Sequence, residues 1–454
     1  MQTARRNNLF GTDGIRAPAG QYPLDRKTVT RIGLAVAEVL RLNDQDMTVV
    51  VGGDTRRSTP EIAAWLISGL EVGGIETVWA GVIPTPGVGF LVRELEAAGG
   101  VTISASHNPY EDNGIKLLDR AGRKWSLEQE RQVDELLAGS PDVSLDPDSP
   151  LPPLVESPDV AARYAETLEA ALPGPTPLSD LSICLDLANG AAGPFAEPLF
   201  RKLGADVHIL FDQPNGTNIN AECGSTKPDA LAKATQKLGC DLGVAFDGDA
   251  DRAILVDELG TIWDGDAILM LWALALQRDG KLKPARVVAT TMSNLGLQVI
   301  LAEHDIELVR CDVGDRQVVE AMRRENIVLG GEQSGHIIRD DTTTTGDGLL
   351  TALHMAYEVN ISPQPLSVLL SRFPHYPQVL RNVRVRSKPD LSSIPSIRSV
   401  LEATQLVLGD RGRLVLRYSG TEPLARIMIE GPDKNEVETL VDQLAAAIQT
   451  EIGE

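Results

Sequence analysis

The sequence predicts an α/β protein: three similar mixed-sheet domains followed by a smaller C-terminal α+β domain. Three observations carry that expectation. Strand and helix patterns alternate through about residue 372, each of three successive segments runs a strand into a polar loop, and after Pro374-His375-Tyr376-Pro377 the pattern changes. At 454 residues the chain also exceeds what one hydrophobic core usually supports. The expected boundaries are 1–150, 151–258, 259–372 and 373–454.

In the first segment, the β-branched run Met47 to Val51 is a strand that ends at Gly52-Gly53-Asp54-Thr55-Arg56. Ser58-Thr59-Pro60 then opens a helix to about Glu71, with Thr59 as N-cap and Pro60 at the first helical position. A strand at Thr77-Val78-Trp79, a turn at Pro84-Thr85-Pro86, a helix to about Glu96 and a strand before Ser104 complete the unit. Ser140 to Pro158, dense in Pro, Asp and Ser, reads as a linker. The second segment offers a helix near Val160 to Leu172, a strand Leu181 to Leu187 entering Asn189-Gly190-Ala191-Ala192-Gly193, and a strand Leu242 to Phe246.

The third segment repeats the alternation: helix Asp266 to Gln277, strand Val287 to Thr290, helix Leu295 to Glu303, strand Ile306 to Val309, a helix from about Asp315 and strand Ile327 to Leu329. The repetition predicts internal duplication. In the last segment, strand Val379 to Val385, helix Ile394 to Ala403, strands Arg413 to Leu416 and Ile427 to Ile429 and helix Asn435 to Thr450 read as the smaller domain.

Lys and Arg number 42 against 64 Asp and Glu, a net charge of −22, which repels nucleic acid and anionic membrane but permits a local basic pocket for a phosphorylated small molecule. Cys184, Cys223, Cys240 and Cys311 show no metal-ligand spacing and no Cys-x-x-Cys, so they read as small reduced thiols in a cytoplasmic protein. The basic start Met1 to Asn8 is followed by no apolar run, so no signal peptide is expected, and the apolar run Ala267 to Leu276 is too short to span a bilayer.

Four polar loops carry the candidate chemistry. In Thr102-Ile103-Ser104-Ala105-Ser106-His107-Asn108-Pro109, a hydroxyl held on a tight loop after a strand is a candidate nucleophile; the same residues also suit a plain turn. Asp247-Gly248-Asp249-Ala250-Asp251-Arg252 sets three carboxylates at alternate positions, a donor set that suits magnesium with a phosphate oxygen. A calcium loop of EF-hand type is disfavoured, because the chain continues into a strand and no glutamate stands at the twelfth position. Gly330-Gly331-Glu332-Gln333-Ser334-Gly335-His336 places Glu332 and Ser334 on one side for sugar hydroxyls, with His336 as a donor or proton carrier. Arg417-Tyr418-Ser419-Gly420-Thr421-Glu422-Pro423, with Arg426, has the hydroxyls and guanidinium forks that hold a phosphate dianion, and the Walker pattern is absent. Together these are the parts for moving a phosphoryl group on a phosphosugar.

With all four loops in order, the chain resembles the α-D-phosphohexomutase superfamily from Phe10-Gly11-Thr12-Asp13-Gly14-Ile15-Arg16 to Arg426. It is most similar to the bacterial phosphoglucosamine mutases, on that opening motif, on Pro214 to Gly224, on Gln333 within Gly-Glu-Gln-Ser-Gly-His, and on Thr343-Thr344-Thr345-Gly346-Asp347-Gly348. The resemblance implies four domains around a central cleft, with Ser106 as the phosphoserine and Asp247, Asp249 and Asp251 holding Mg2+ against its phosphate. It implies conversion of glucosamine 6-phosphate to glucosamine 1-phosphate through a 1,6-bisphosphate, supplying UDP-N-acetylglucosamine and cell-wall precursors. Lys116 is the expected general base, assisted by Arg16, Arg252 and His107 or His336. Glu332 and Ser334 would bind the sugar, and Arg417, Ser419, Gly420, Thr421 and Arg426 the phosphate that is not reacting. The expected partner is a small phosphosugar, with no nucleic acid and no membrane, and a homodimer is compatible.

Ala17, Tyr418 and Asp312 depart from the family pattern, where glycine, proline and a basic residue are common. Three alternatives stay open: a phosphomannomutase/phosphoglucomutase acting on a 2-hydroxy sugar, a non-catalytic phosphosugar-binding protein on the same fold, and a metal-dependent phosphatase, whose signature is net release of inorganic phosphate.

Overall fold

A run of three valines, Val49 to Val51, buried on both faces, forms an interior strand of the first sheet, as a parallel strand covered by helices requires. The computed structural model describes residues 9–11, 13–43, 48–139, 150–419 and 422–454. Its first unit runs β1 (Ile15–Pro18), α1 (Arg26–Asn43), β2 (Thr48–Gly53), α2 (Thr59–Val72), β3 (Glu76–Val82), α3 (Thr85–Glu94), β4 (Gly99–Ile103), β5 (Asp112–Asp119) and α4 (Leu127–Gly139). The second runs α5 (Pro158–Glu169), β6 (Ser182–Asp186), α6 (Gly193–Lys202), β7 (Asp206–Leu210), α7 (Asp229–Leu238), β8 (Leu242–Phe246), β9 (Ala253–Asp257) and β10 (Ile262–Trp263). The third contains α8 (Gly265–Arg278), β11 (Arg286–Thr290), α9 (Leu295–Glu303), β12 (Glu307–Cys311), α10 (Asp315–Glu325), β13 (Leu329–Gly331), β14 (Ile337–Arg339), α11 (Gly348–Ile361) and α12 (Leu366–Leu370). The fourth is β15 (Gln378–Arg384), α13 (Pro395–Leu408), β16 (Arg413–Tyr418), β17 (Leu424–Glu430) and α14 (Lys434–Ile452).

The first three sheets share one topology. In each, the first long strand (β2, β6, β11) is flanked in parallel by the next two strands, and the third of these pairs antiparallel with a fourth (β5, β9, β14). The sheets of the first and second units add an antiparallel edge strand, β1 and β10. This repeated strand order is the structural counterpart of the duplication expected from the sequence. The antiparallel strands β1 and β5 were not anticipated, because Asn113-Gly114-Ile115-Lys116 reads locally as a polar continuation of the loop. Ser58, not Thr59, occupies the N-cap of α2. Of the expected linker, 140–149 lie outside the described residues.

One apolar core runs through the first three units, joining Val50, Tyr164, Phe246, Trp272 and Leu349, while the fourth has its own, around Val383, Ile397, Ile427, Val441 and Leu444. The third and fourth units meet across a polar seam. Asn294, buried, caps α9 through Gly296 N–H (2.9 Å), donates to Tyr376 O (2.8 Å) and accepts Tyr376 N–H (3.1 Å). Arg413 donates to Thr291 O (2.8 Å) and Ser293 O (2.9 Å) while paired with buried Glu430 at 2.6 Å.

Asn294→Ala removes a helix cap and both crossing bonds, so it should lower stability by about 1–2 kcal/mol. Amide exchange should rise more in β15 to α14 than in α2; uniform exchange would show that the seam does not hold the fourth unit.

Candidate active site

The three chemistry-bearing loops are equivalent turns of the repeated topology. Each reverses the chain from the third parallel strand into the antiparallel one: 104–111 between β4 and β5, 247–252 between β8 and β9, and 332–336 between β13 and β14. Backbone bonds tie the acidic loop and the strand that leaves it to the first and third units. Thr85 N–H donates to Asp249 O (3.0 Å), Ala253 N–H to Gly335 O (3.1 Å) and Gly348 N–H to Ala250 O (2.9 Å). A Cβ on Gly248 would lie 2.6 Å from Ser106 O, so only glycine lets the acidic loop come this close to the serine loop.

Ser106 is 1% exposed and sits in the left-handed region at φ 52°, a conformation that costs a non-glycine residue about 1–2 kcal/mol. Arg56 holds it there. The buried guanidinium spends all its donors: Nε on Asp54 (2.8 Å), Nη1 on Pro109 O and Asp112 O (3.0 Å), and Nη2 on Ser106 O and Asn108 O (both 2.9 Å). From the second unit Asn220 Nδ2 donates to the same two carbonyls, Ser106 O (2.9 Å) and Asn108 O (3.1 Å). The two serines are not equivalent. Ser104 Oγ is committed, donating to Asp54 (2.7 Å) and accepting Ser106 N–H (2.9 Å). Ser106 Oγ instead faces the acidic loop, donating to Asp247 Oδ2 at 2.5 Å, with His107 Nδ1 at 3.2 Å.

Asp247, Asp249 and Asp251 are buried, and each offers an oxygen within 4.8 Å of the others. Burial pushes Asp247 well above the usual carboxylate range, and the charges of Asp251 and Asp249 push the same way. Burial would also raise Asp251, but Lys116, His336 and Arg252 hold it well below. Asp249 Oδ1 and Asp251 Oδ1 accept no hydrogen bond among the described residues. Two buried, unsatisfied carboxylate oxygens beside a third carboxylate fit a hard divalent cation with oxygen ligands.

Lys116, on β5, lies 2.6 Å from Asp249, 3.3 Å from Asp251 and 3.7 Å from Asp13. Against burial, these three carboxylates raise its ammonium well above the ordinary lysine value. His107 is pushed down to about 4 by burial and by the neighbouring Arg252 and Arg16, so its ring is neutral. For His336 two indications disagree. Asp251, Asp315 and Glu332 pull its pKa up against burial, yet Gly346 N–H donates to Nε2 at 3.1 Å, which a doubly protonated ring could not accept. The backbone bond decides for a neutral ring whose Nδ1 proton faces Asp251 at 3.6 Å.

A cavity of about 220 Å³ opens over this junction, lined by Asp13, Arg16, His107, Asp251, Arg252, Val313, Gly314, Asp315, Glu332 and His336. Glu332 Oε1 accepts Gly314 N–H at 3.1 Å. Ser334 Oγ is buried without a partner among the described residues and does not line the cavity. Arg417, Ser419 and Arg426 stand apart on the fourth unit. Arg417 and Arg426 are cross-strand neighbours, Ser419 Oγ takes a bond from Arg426 at 3.3 Å, and Lys388 Nζ reaches Ser419 O at 2.5 Å. Gly420 and Thr421 lie outside the described residues.

Family models match four successive stretches: Phosphoglucomutase/phosphomannomutase alpha/beta/alpha domain I at 7–141, domain II at 162–260, domain III at 264–376 and the C-terminal domain at 380–447. The chain belongs to the phosphoglucomutase/phosphomannomutase family. Among its relatives in that family, the phosphoglucosamine mutase of Syntrophotalea carbinolica is 42% identical over 99% of this chain and 98% of the relative. That of Chelativorans sp. is 43% identical over 97% of each. A family protein of Burkholderia thailandensis superposes with a TM-score of 0.79 at 25% identity, covering 98% of this chain and 99% of that one. The Aspergillus fumigatus N-acetylphosphoglucosamine mutase, in complex with GlcNAc-6P and magnesium, has the same fold at a TM-score of 0.67 and 19% identity, over 97% of this chain and 95% of its own.

The family fold thus gathers Ser106, Lys116, Arg16, His107, Arg252, Glu332, His336 and the three aspartates at one junction, and leaves the arginines of the last loop on a separate unit. Reading the sequence did not assign Asp13, Asp54, Arg56, Thr85, Asn220 or Lys388. A charged Asp-x-Arg directly after a buried strand was the available signal for Arg56, since site residues gather at the carboxyl ends of parallel strands.

Arg56→Met leaves Asp54 buried and unpaired and should cost about 3–5 kcal/mol of stability in urea unfolding. Ser106→Ala should cost about 1 kcal/mol or less. Equal losses would overturn this division between clamp and nucleophile.

Proposed function

We propose that the chain is a phosphoglucosamine mutase, interconverting glucosamine 6-phosphate and glucosamine 1-phosphate through phosphorylated Ser106 and a 1,6-bisphosphate. The observation that carries the reading is the Ser106 hydroxyl, 2.5 Å from Asp247 in a buried junction where Asp249 Oδ1 and Asp251 Oδ1 accept no hydrogen bond among the described residues. The choice of sugar is supported by relatives named phosphoglucosamine mutase along nearly the whole chain. A phosphosugar and magnesium are supported by the Aspergillus enzyme of the same fold, bound to GlcNAc-6P and magnesium.

In the forward half-reaction the sugar O1 attacks phosphorus, the bond from phosphorus to Ser106 Oγ breaks, and the O1 proton passes to the protein. After the bisphosphate turns, Ser106 Oγ attacks the 6-phosphate and O6 takes up a proton, so the net change is isomerisation with no phosphate released. Asp247, Asp249, Asp251 and a Ser106 phosphate oxygen would hold Mg2+, which supplies Lewis acidity and neutralises charge on the transferring group. Burial of the junction keeps water from competing for the phosphoryl group.

Lys116 is our choice for the proton carrier at the sugar oxygen. Asp13, Asp249 and Asp251 keep its ammonium, so it cannot take the O1 proton as the expected general base. It gives its proton to O6 as the bond from phosphorus to O6 breaks, while the O1 proton goes to the neutral ring of His107 in the cavity lining, and exchange with solvent resets both groups. Arg16 and Arg252 face the phosphate with positive charge, neutral His107 stands beside Ser106 Oγ with Nδ1 at 3.2 Å, and Glu332 reads sugar hydroxyls from the cavity wall, whereas Ser334, the expected second reader, is buried outside that lining. Arg417, Ser419, Gly420, Thr421 and Arg426 grip the phosphate that is not reacting. A separate core and a polar seam suit a fourth unit that releases and regrips while the sugar turns.

Glucose 1-phosphate and mannose 1-phosphate are the competing substrates, because the family includes enzymes named for both. In a coupled assay primed with bisphosphate, glucosamine 6-phosphate should turn over faster than either; equal or better rates on the hexose 1-phosphates would overturn the sugar assignment. Phosphopeptide mass spectrometry should find phosphate on Ser106, and phosphate only on Ser104 would remove the nucleophile. Chelation of divalent cations should abolish turnover.

A further inference from the structure

Lys124 lies outside the residues assigned above and does not line the active-site cavity. It ends the turn that follows β5, where Leu118 and Lys124 form an antiparallel bridge. The next residue anchors the turn: Trp125, 1% exposed, donates its N–H to Leu117 O and its Nε1–H to Leu118 O, both at 3.0 Å. Lys124 is therefore fixed to the same hairpin that carries Lys116. Its side chain is only 12% exposed, and its Nζ contacts two carboxylates, Asp13 Oδ1 and Asp315 Oδ2.

Each of those carboxylates leads to the active site by a different route. Asp13 continues to Arg16 and to Lys116, and Lys116 to Asp249 and Asp251. Asp315 opens α10 directly after Gly314, whose N–H fixes Glu332. The next residue binds back to the hairpin, Arg316 Nη2 donating to Trp125 O (2.9 Å) and Glu130 (2.7 Å). The result is an alternating ladder, Asp315, Lys124, Asp13, Lys116 and Asp249 with Asp251, that crosses from the third unit through the first to the second. All three groups at its outer end respond as a tight ladder requires. Burial would disfavour every charge, yet Lys124 is raised by Asp315 and Asp13, and both carboxylates are lowered, Asp13 by Lys116, Lys124 and Arg16 and Asp315 by Lys124.

We propose that Lys124 is a positioning residue for the mutase reaction: it sets the Asp13 carboxylate against Lys116 and Arg16, and it ties the Gly314 to Glu332 end of the sugar-reading site to the hairpin that carries Lys116. This inference rests on the mutase reading, and its two halves act on different kinetic quantities. Asp13 reaches the reaction through Lys116, so losing its placement lowers kcat. Asp315 reaches it through Glu332, so losing that tie raises KM.

The test is steady-state kinetics of the full-length chain on glucosamine 6-phosphate, with thermal melting of each variant. Lys124→Met should lower kcat by about 30-fold or more, as expected when a buried charge pair loses one partner, and raise KM. Lys124→Arg, which keeps the charge, should recover most of both. Asp315→Asn leaves Lys124 paired with Asp13 and carries the test even if Lys124→Met folds poorly; it should raise KM at least about 5-fold with kcat within about 3-fold of the parent. A merely structural lysine would lower the active fraction and leave KM alone. An unchanged KM in Asp315→Asn, or kcat of Lys124→Met within about twofold of the parent in a folded protein, overturns the role of Lys124. Failure of the parent chain to turn over any hexosamine phosphate overturns the mutase reading instead.

Discussion

Three aspartates forced together under almost complete burial set the terms for the rest of the molecule. Two unit charges about 4 Å apart repel by about 4 kcal/mol at an effective dielectric near 20, and Asp247, Asp249 and Asp251 bring their oxygens within 4.8 Å of one another. The chain relieves this with Lys116 from the first unit, Arg252 at the end of the loop itself and the Nδ1 proton of the neutral His336 ring from the third. The relief is incomplete, since two carboxylate oxygens accept no hydrogen bond among the described residues. That shortfall suits the junction to a divalent cation with oxygen ligands.

The repeated sheet topology explains how such a junction is assembled. A chain that goes from a parallel strand into an antiparallel neighbour must reverse at the carboxyl end of the sheet, and three copies of that reversal place three polar loops at equivalent positions. Each loop contributes different groups, the Ser106 hydroxyl, the three carboxylates, or Glu332 and His336, to one architectural plan. Arg56 and Asn220 then hold the serine loop by its carbonyls from two units, which fixes a left-handed backbone that Ser106 would otherwise leave.

The fourth unit follows a different rule. Its core is its own, and its connection to the third unit is a set of side-chain bonds around Asn294, Arg413 and Glu430. Polar seams between separately cored units are easier to open than shared apolar cores.

The sequence by itself determined the class of fold, most of the helices and parallel strands, and the four loops that carry chemistry. These are local matters: periodicity selects helix or strand, and a polar cluster after a buried strand marks a reversal. Leu295 to Glu303 and Leu242 to Phe246 were legible to the residue because both are apolar runs bounded by turn residues. Only the tertiary structure decided which serine hydroxyl meets Asp247, since that depends on Asp54 lying beside Ser104, 50 residues earlier in the chain. It also decided that Arg56 is a clamp and that Lys124 bridges two carboxylates from different units, because a charge's partner is set by strand order and packing and not by its neighbours in sequence.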